Sequence, residues 1–182
     1  MKTEIVRNRA VYNKDMTDLI RILPECEFNN GKFVVPNSVK LVRSKAFDNC
    51  DVEEFDFGNA EIIDEGACFN CQKLKNVNLG IAVKISPKAL SFCESVENIT
   101  VSETNRKYKS IDGVLFNGTV LHTFPCGRKG SYVVPDGTTE IADCAFYFSQ
   151  LSEISFPNTL TTIGDLAFEK SELEKIIFLK DL

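Results

Sequence analysis

The sequence lacks the features that mark several classes of protein. No apolar run approaches the roughly 18 residues that a membrane-spanning helix requires, so no span is predicted. Residues 1–19 contain no apolar core of signal-peptide length. Either the chain stays inside the cell or a leader is removed before residue 1, and a cytoplasmic location therefore stays open.

An excess of positive charge is also absent. Lys and Arg number 21 against 26 Asp and Glu, which gives a net charge of −5. The densest basic stretches, 105–109 and 127–129, are too short to form the basic stripe that nucleic-acid binding requires. No G-x-G-x-x-G phosphate-binding loop occurs. The sequence therefore predicts a folded protein with no nucleic-acid partner and no cofactor.

The most informative feature that is present is an internal repeat. The segment "TTEIADCAFYFSQLSEISF" (138–156) returns as "TTIGDLAFEKSELEKIIF" (161–178). One pattern recurs five times. It consists of an alanine, an aliphatic residue four positions before it, an apolar residue six or seven positions after it and then an alternating apolar pair. The alanines at the centre of these units are spaced by 21, 22, 56 and 22 residues: Ala46, Ala67, Ala89, Ala145 and Ala167.

The spacing within each unit predicts its structure. The alternating pair at the end is typical of a short strand with one buried face, whereas the Ala-Phe segment favours a helical or 3₁₀ turn. A unit of 21 or 22 residues is too short to form a core alone, but stacked units cover one another's apolar faces. We therefore predict one solenoid domain over 1–182.

The gap of 56 residues contains a second kind of segment, here called an island. "VLFNGTVL" (114–121) predicts a hairpin, in which Asn-Gly would supply the positive φ angles of a type I′ turn. The N-terminal region follows the same plan, with Tyr12 matching Phe116, Leu19 matching Leu121 and Pro24 matching Pro125. The predicted order is a first island or cap (1–38), three repeats (39–104), a second island (105–137) and two repeats (138–182).

Several segments resemble the BspA-like class of leucine-rich repeats. They are "IGDLAF" (163–168), "FNCQKLKNVNL" (69–79), "LSFCESVENITV" (90–101) and the island at 112–137. The resemblance implies an α/β-type repeat solenoid, a leucine-rich repeat stack of short parallel strands with helical or 3₁₀ turns on the other side and inserted β-hairpin islands. It also implies a cell-surface or secreted protein used for adhesion and host contact.

The cysteines follow the repeat. Seven is an odd number, so a complete set of intramolecular disulfides is impossible. Cys50, Cys71 and Cys93 each lie four residues after a repeat alanine, which predicts a ladder through the stack. A metal site that includes Cys68 and Cys71 is one interpretation. The favoured interpretation is that these cysteines are small buried side chains at tight turns. A ladder places its thiols in a line, whereas a zinc site needs ligands that converge on one point.

The single histidine offers the other candidate for chemistry. His122 precedes Cys126 by four residues, and a Cys–His nucleophile pair would need hydrogen-bond reach and a third orienting group. His122 is matched with Arg21 of the first island, which predicts an outward, solvated side chain. Cys26 and Cys126 follow the matched prolines and are interpreted as island structure. No catalytic or metal-binding residue is assigned.

The polar positions of the predicted strands form the best candidate for a contact surface. Stacking should align them on one sheet face, as solenoids present extended surfaces to partners. Any single one of these residues is, by itself, better explained as part of a solvated sheet. The predicted face comprises Glu54, Asp56, Asn76, Asn78, Asn98, Thr100, Glu153, Ser155, Lys175 and Ile177.

The sequence thus favours a non-enzymatic recognition or adhesion module with an unknown protein partner, such as a host or cell-surface protein. Two alternatives stay open: a Cys/His-dependent metal-binding protein or enzyme, and a structural spacer from a longer surface protein. The C-terminal segment "IIFLKDL" (176–182) predicts a strand without an evident cap, and such an edge invites self-association.

Overall fold

A computed structural model describes residues 4–7, 9–23 and 28–179, and almost every regular element in them is a β-strand. The strands of the first half are β1 (Ile5–Arg7), β2 (Ala10–Tyr12), β3 (Asp18–Ile22), β4 (Lys32–Val34), β5 (Leu41–Val42), β6 (Glu54–Asp56), β7 (Ile62–Ile63), β8 (Asn76–Asn78), β9 (Lys84–Ile85) and β10 (Asn98–Thr100). Those of the second half are β11 (Lys109–Ile111), β12 (Val114–Asn117), β13 (Val120–Thr123), β14 (Lys129–Val133), β15 (Glu140–Ile141), β16 (Gln150–Phe156), β17 (Thr162–Ile163) and β18 (Lys175–Phe178).

Each half of the chain builds two sheets, between which the strands alternate along the sequence. The first half gives the orders β1-β2-β3-β5-β7-β9 and β4-β6-β8-β10, and the second half gives β11-β12-β13-β15-β17 and β14-β16-β18. Pairing is antiparallel inside the islands and parallel between repeats. The stack of short parallel strands that the sequence predicts is therefore confirmed.

Two apolar cores lie between these sheets, one in each half. Inward residues such as Phe55, Val77 and Ile99 are fully buried in the first core. Strand β12 stands between the cores and is buried on both faces. Its Leu115 belongs to the first core, while its Val114 and Phe116 belong to the second. The second island therefore joins the halves by completing the core of the first.

The five repeat alanines are buried, but the segments around them are not helical. The N–H of Phe47 donates to the carbonyl of Ala67 at 2.8 Å, so the backbone donors bond to the next coil rather than along a helix. Lys45 and Asn49 have φ of 57° and 55°, and such left-handed residues interrupt a helix. The prediction of helical or 3₁₀ turns in the repeats is wrong. Within the described ranges, the single 3₁₀ turn is Asn29–Gly31, in the first island.

Both islands contain the predicted hairpin. Tyr12 pairs with Leu19 just as Phe116 pairs with Leu121, which confirms those two matches. The type I′ turn is wrong, because Asn117 pairs with Val120 and leaves a two-residue loop in which only Gly118 has a positive φ, of 61°. A glycine at the first loop position is typical of a type II′ turn. Pro24 and Cys26 lie outside the described residues.

Candidate partner-contact face

The ten residues of the predicted contact surface, here called the strand face, lie on two sheets. Parallel register places Glu54, Asn76 and Asn98 in one row. The other row of the first sheet comprises Asp56, Asn78 and Thr100, and the second sheet sets Glu153 beside Lys175 and Ser155 beside Ile177. The alignment within each sheet is as predicted.

The expected single, continuous face is wrong, because the second island enters the stack between the two sheets. The N–H of Ile99 in β10 donates to the carbonyl of Gly113 at 2.9 Å. The edge of β10 is therefore occupied by the island. As a result β14 begins a new sheet. Among the described strands, its partner is β16.

Several side chains of the strand face bond to their own scaffold. Asp56 Oδ1 accepts the N–H of Gly58 at 3.0 Å and the amide of Asn78 at 3.2 Å. Asn78 Oδ1 in turn accepts the N–H of Gly80 at 3.0 Å. These half-buried groups stabilise the turns that follow β6 and β8, and this structural role explains the polar residue at that repeat position.

All three carboxylates of the strand face, those of Glu54, Asp56 and Glu153, already have cationic partners. Lys32 Nζ lies 2.6 Å from Glu54 Oε1, and Lys175 Nζ lies 2.8 Å from Glu153 Oε2. The hydrogen bond to Glu54 raises the pKa of Lys32. Pairs of such exposed side chains contribute about 0–1 kcal/mol each. Their main effect here is to reduce the free negative charge that the strand face offers.

Ser155 differs from the other residues of the strand face because it is buried, at 7% exposure. It lies in register between Val133 and Ile177, two larger side chains, which leaves its small hydroxymethyl group shielded. Its expected exposure is therefore wrong.

The predicted contact face left out the two strands that begin these sheets, although both segments read as strands in the sequence. Strand β4 places Val34 beside Asp56, and β14 places Val133 beside Ser155. Both valines are exposed, at 55% and 61%. Spacing could have placed these strands in the face, because Phe33 precedes Phe55 by 22 residues and Tyr132 precedes Ile154 by 22.

A shallow depression marks the junction of the two sheets. Gly127 allows the close approach, since a Cβ there would lie 2.7 Å from the carbonyl carbon of Ser95. Arg128 then crosses the junction, with Nε donating to the carbonyl of Glu97 at 2.7 Å and Nη1 lying 3.3 Å from Asp112 Oδ2. The lining residues are Asn76, Glu97, Asn98, Gly127, Arg128 and Lys129.

Three exposed side chains at this depression are unpaired. Those of Asn76, Glu97 and Lys129 have no hydrogen-bond or ion-pair partner in the part of the chain that the structure describes. They supply an amide, a carboxylate and an ammonium group on one small area. An area of this kind can bind a polar protein surface without losing bonds that hold the solenoid.

The predicted cysteine ladder is present. Cys71 Sγ donates to the carbonyl of Phe47 and Cys93 Sγ to that of Cys68, both at 2.8 Å. Cys126 extends the ladder by donating to the carbonyl of Cys93 at 2.9 Å. Its buried surroundings raise the pKa of the Cys126 thiol to about 12.

This environment does not favour thiol chemistry. Burial raises the pKa of the Cys68 thiol well above its ordinary value, whereas redox and nucleophilic cysteines have lowered pKa values. The described residues contain no group of three or more His, Cys, Asp or Glu side chains that could hold a metal ion.

His122 is not the solvated side chain that was predicted. Its ring lies 5.2 Å from that of Tyr108, and Nδ1 is 2.8 Å from Thr123 Oγ1. The register shows the reason: Thr123 pairs with Leu115 as Arg21 pairs with Val11, so His122 is the bulged residue. The match with Arg21 was therefore wrong by one position. Cys126 bonds elsewhere, to Cys93, so no Cys–His hydrogen bond forms.

The family model described as "BspA type Leucine rich repeat region" matches residues 21–133 and 126–182, with six copies. The chain belongs to this family. Among curated proteins, none matches it in sequence. Within residues 4–7, 9–23 and 28–179, no helix has the length and apolar character needed to cross a membrane.

Solved structures of other leucine-rich repeat proteins are similar to the chain. A leucine rich cell surface protein from Faecalibacterium prausnitzii has a TM-score of 0.51 at 14% identity, covering 98% of this chain and 77% of that one. A leucine-rich repeat protein from Eubacterium ventriosum scores 0.48 at 14% identity, covering 98% and 73%. The pneumococcal vaccine antigen PcpA scores 0.43 at 17% identity, covering 97% and 70%. Of these three the first exceeds 0.5, and at 14% identity it supports the leucine-rich repeat fold alone.

Proposed function

We propose that this chain is a non-enzymatic recognition module that adheres to a protein partner, such as a host or cell-surface protein. The contact would centre on the depression between the two sheets of the strand face. The observation that carries the proposal is the convergence there of the unpaired side chains of Asn76, Glu97 and Lys129. Membership of the BspA-type family and similarity to a leucine rich cell surface protein from F. prausnitzii support a surface location.

The mode of contact follows from the shape of the site. The depression is open and formed by rigid strands, which suits a protein surface better than a small enclosed ligand. Exposed Val133 lies on β14, the strand that begins at Lys129 of the depression, and it would add apolar area to a polar centre. A rigid scaffold lowers the ordering cost of binding, because the backbone positions of these residues are already fixed by hydrogen bonds between coils and by strand pairing.

The test is a binding screen against purified host and bacterial surface proteins, followed by a charge exchange. The double variant Glu97→Lys with Lys129→Glu keeps the net charge of the chain but exchanges the signs at the depression. Because both side chains are exposed and unpaired, we expect unfolding to be unchanged while the affinity for the identified partner falls at least tenfold.

A matched control carries the same exchange away from the depression. Lys84→Glu with Glu103→Lys also keeps the net charge, and both side chains are exposed. This control should bind as the unaltered chain does. Equal affinity of the two double variants would place the contact surface elsewhere on the protein.

The depression is a better target than the paired carboxylates. Reversing Glu54 or Glu153 would also break the ion pair with Lys32 or Lys175. A loss of binding would then combine a lost contact with a rearranged strand face. Glu97 and Lys129 avoid that ambiguity.

A further inference from the structure

The last coil of the stack exposes two side chains, Ile163 and Ile176, whose equivalents are buried in every earlier coil. Ile163 is 46% exposed, whereas Ile63 and Ile141, its repeat equivalents, are 1% and 0% exposed. Ile176 is 50% exposed, and its partner in the preceding coil, Ile154, is fully buried. The exposed large apolar side chains at this end, here called the end face, are Ile163, Leu166, Ile176, Phe178 and Leu179.

Coil ends of this composition are covered elsewhere in the chain. The end of the second coil is covered by the third, since β8 pairs with β10 in register. The end of the third coil is covered by the second island, which inserts Leu115 and Tyr108 into the first core. The end face is the corresponding surface of the last coil, and the free edge of β18 lies beside it. No element within the described residues covers it.

The free edge of β18 is complementary to itself. Antiparallel pairing of two copies about a twofold axis at Ile177 sets Ile176 of one copy opposite Phe178 of the other. Because directly opposed residues of an antiparallel pair share a face, both apolar cores then lie on the same side of the joined sheet. Lys175 is set opposite Leu179, so no like charges oppose each other along the strand.

Head-to-tail stacking of copies is less favourable. The residue of the first island that corresponds to Leu115 is Val11, by the matching registers of the two hairpins. Val11 is only 1% exposed, so the N-terminal island has no open apolar surface at this position. In a symmetric tail-to-tail contact the end faces of two copies cover each other, and the assembly is a closed dimer.

We propose that the end face is a self-association surface, on which a second copy of this chain docks tail to tail through antiparallel pairing of β18. This surface lies at the end of the stack and is separate from the depression between the sheets. It would extend the sheet formed by β14, β16 and β18 from three strands to six.

Sedimentation equilibrium of the whole chain tests the proposal. We expect a concentration-dependent mass that rises from 20.4 kDa to twice that value. The double variant Ile176→Lys with Phe178→Lys should stay monomeric, because it places buried charges at the contact while altering side chains that are exposed in the single copy. The control Val6→Lys with Val133→Lys changes two equally exposed valines elsewhere and should still dimerise.

A cross-linking variant tests the position of the axis. In the proposed register Ile177 opposes itself, with Cα atoms about 4.5–5.5 Å apart, which is within the range of a disulfide. Ile177→Cys should therefore form a covalent dimer with an added oxidant, copper phenanthroline, whereas Val133→Cys should not. A monomer at every concentration, a dimer that survives the Ile176 and Phe178 changes, or a dimer that Ile177→Cys does not cross-link would overturn the proposal.

Discussion

His122 makes the stability of this protein depend on pH in a way that can be worked out from its surroundings. The side chain is half-buried in β13, beside Tyr108. Burial lowers its pKa from 6.5 to about 4, and the positive charge of Lys107 adds to this, while a hydrogen bond with the Ile85 backbone opposes it. The folded chain therefore holds this imidazole neutral over a range in which the unfolded chain protonates it.

The sign follows from the lowered pKa. Well above pH 6.5 neither state carries the proton, so protonation of His122 does not affect the free energy of unfolding. Between pH 6.5 and 4 the unfolded state binds the proton and the folded state does not, so stability falls as the pH falls. The loss attributable to His122 is about 2 kcal/mol at pH 5 and about 3 kcal/mol at pH 4.

The assay compares the chain with His122→Ile in urea at pH 7.5, 6 and 5. Isoleucine is a suitable replacement because Ile20 occupies the same bulge of the first island. Carboxylates that titrate in this range are common to both proteins, so their contributions cancel in the difference. The unaltered chain should lose about 2 kcal/mol relative to the variant between pH 7.5 and 5.

If the difference in unfolding free energy between the unaltered chain and His122→Ile stays constant with pH, this account of His122 is refuted. An independent measurement is available because the chain contains a single histidine. The ring protons of His122 should titrate near pH 4 by NMR in the folded protein. A value near 6.5 would show that the ring is solvated after all.

Two further predictions concern the thiol ladder. Ser149 occupies a ladder position, and its hydroxyl is buried without a hydrogen-bond partner in the described structure. Phe124 bonds to Ala145 as Phe47 bonds to Ala67, so a thiol at residue 149 is expected to donate to the Phe124 carbonyl as Cys71 does to that of Phe47. Ser149→Cys should therefore raise the free energy of unfolding, measured in urea, by about 1 kcal/mol. Ser149→Ala is its control, and a cysteine variant no more stable than the alanine variant would count against that bond. In a Cys26→Ser background, we expect a thiol reagent at pH 8 to find no reactive thiol in the folded chain and six after unfolding, since the described cysteines are buried. Rapid native reaction of Cys126 would contradict its burial.

The sequence was sufficient for those parts of the fold that depend on repetition. A spacing of 22 residues sets Phe55, Val77 and Ile99 in one inward row, and the structure has them paired in register. It also predicted the thiol ladder. These features repeat identically from coil to coil, so each unit provides evidence for the next.

Features that depend on contacts between distant segments could not be obtained in this way. The Ala-Phe turns look helical locally, but the N–H of Phe146 donates to Ala167 of the next coil at 2.8 Å. The orientation of His122 depends on a one-residue bulge, and a shift by one residue moves a strand side chain to the opposite face. The break in the strand face depends on the bond between Ile99 and Gly113, which are 14 residues apart and have no repeat equivalent.

The two proposed surfaces are connected by β18. With the twofold axis perpendicular to its sheet, both copies of the strand face would lie on the same side of the dimer, because Lys175 and Ile177 face outward in each copy. Two depressions would then face one surface, and a partner displayed at high density could be bound twice. Bivalent attachment raises apparent affinity by about 10²–10⁴ without new contacts. A modest contact built from Asn76, Glu97 and Lys129 would in that arrangement be enough for adhesion, which explains how so shallow a site could serve this function.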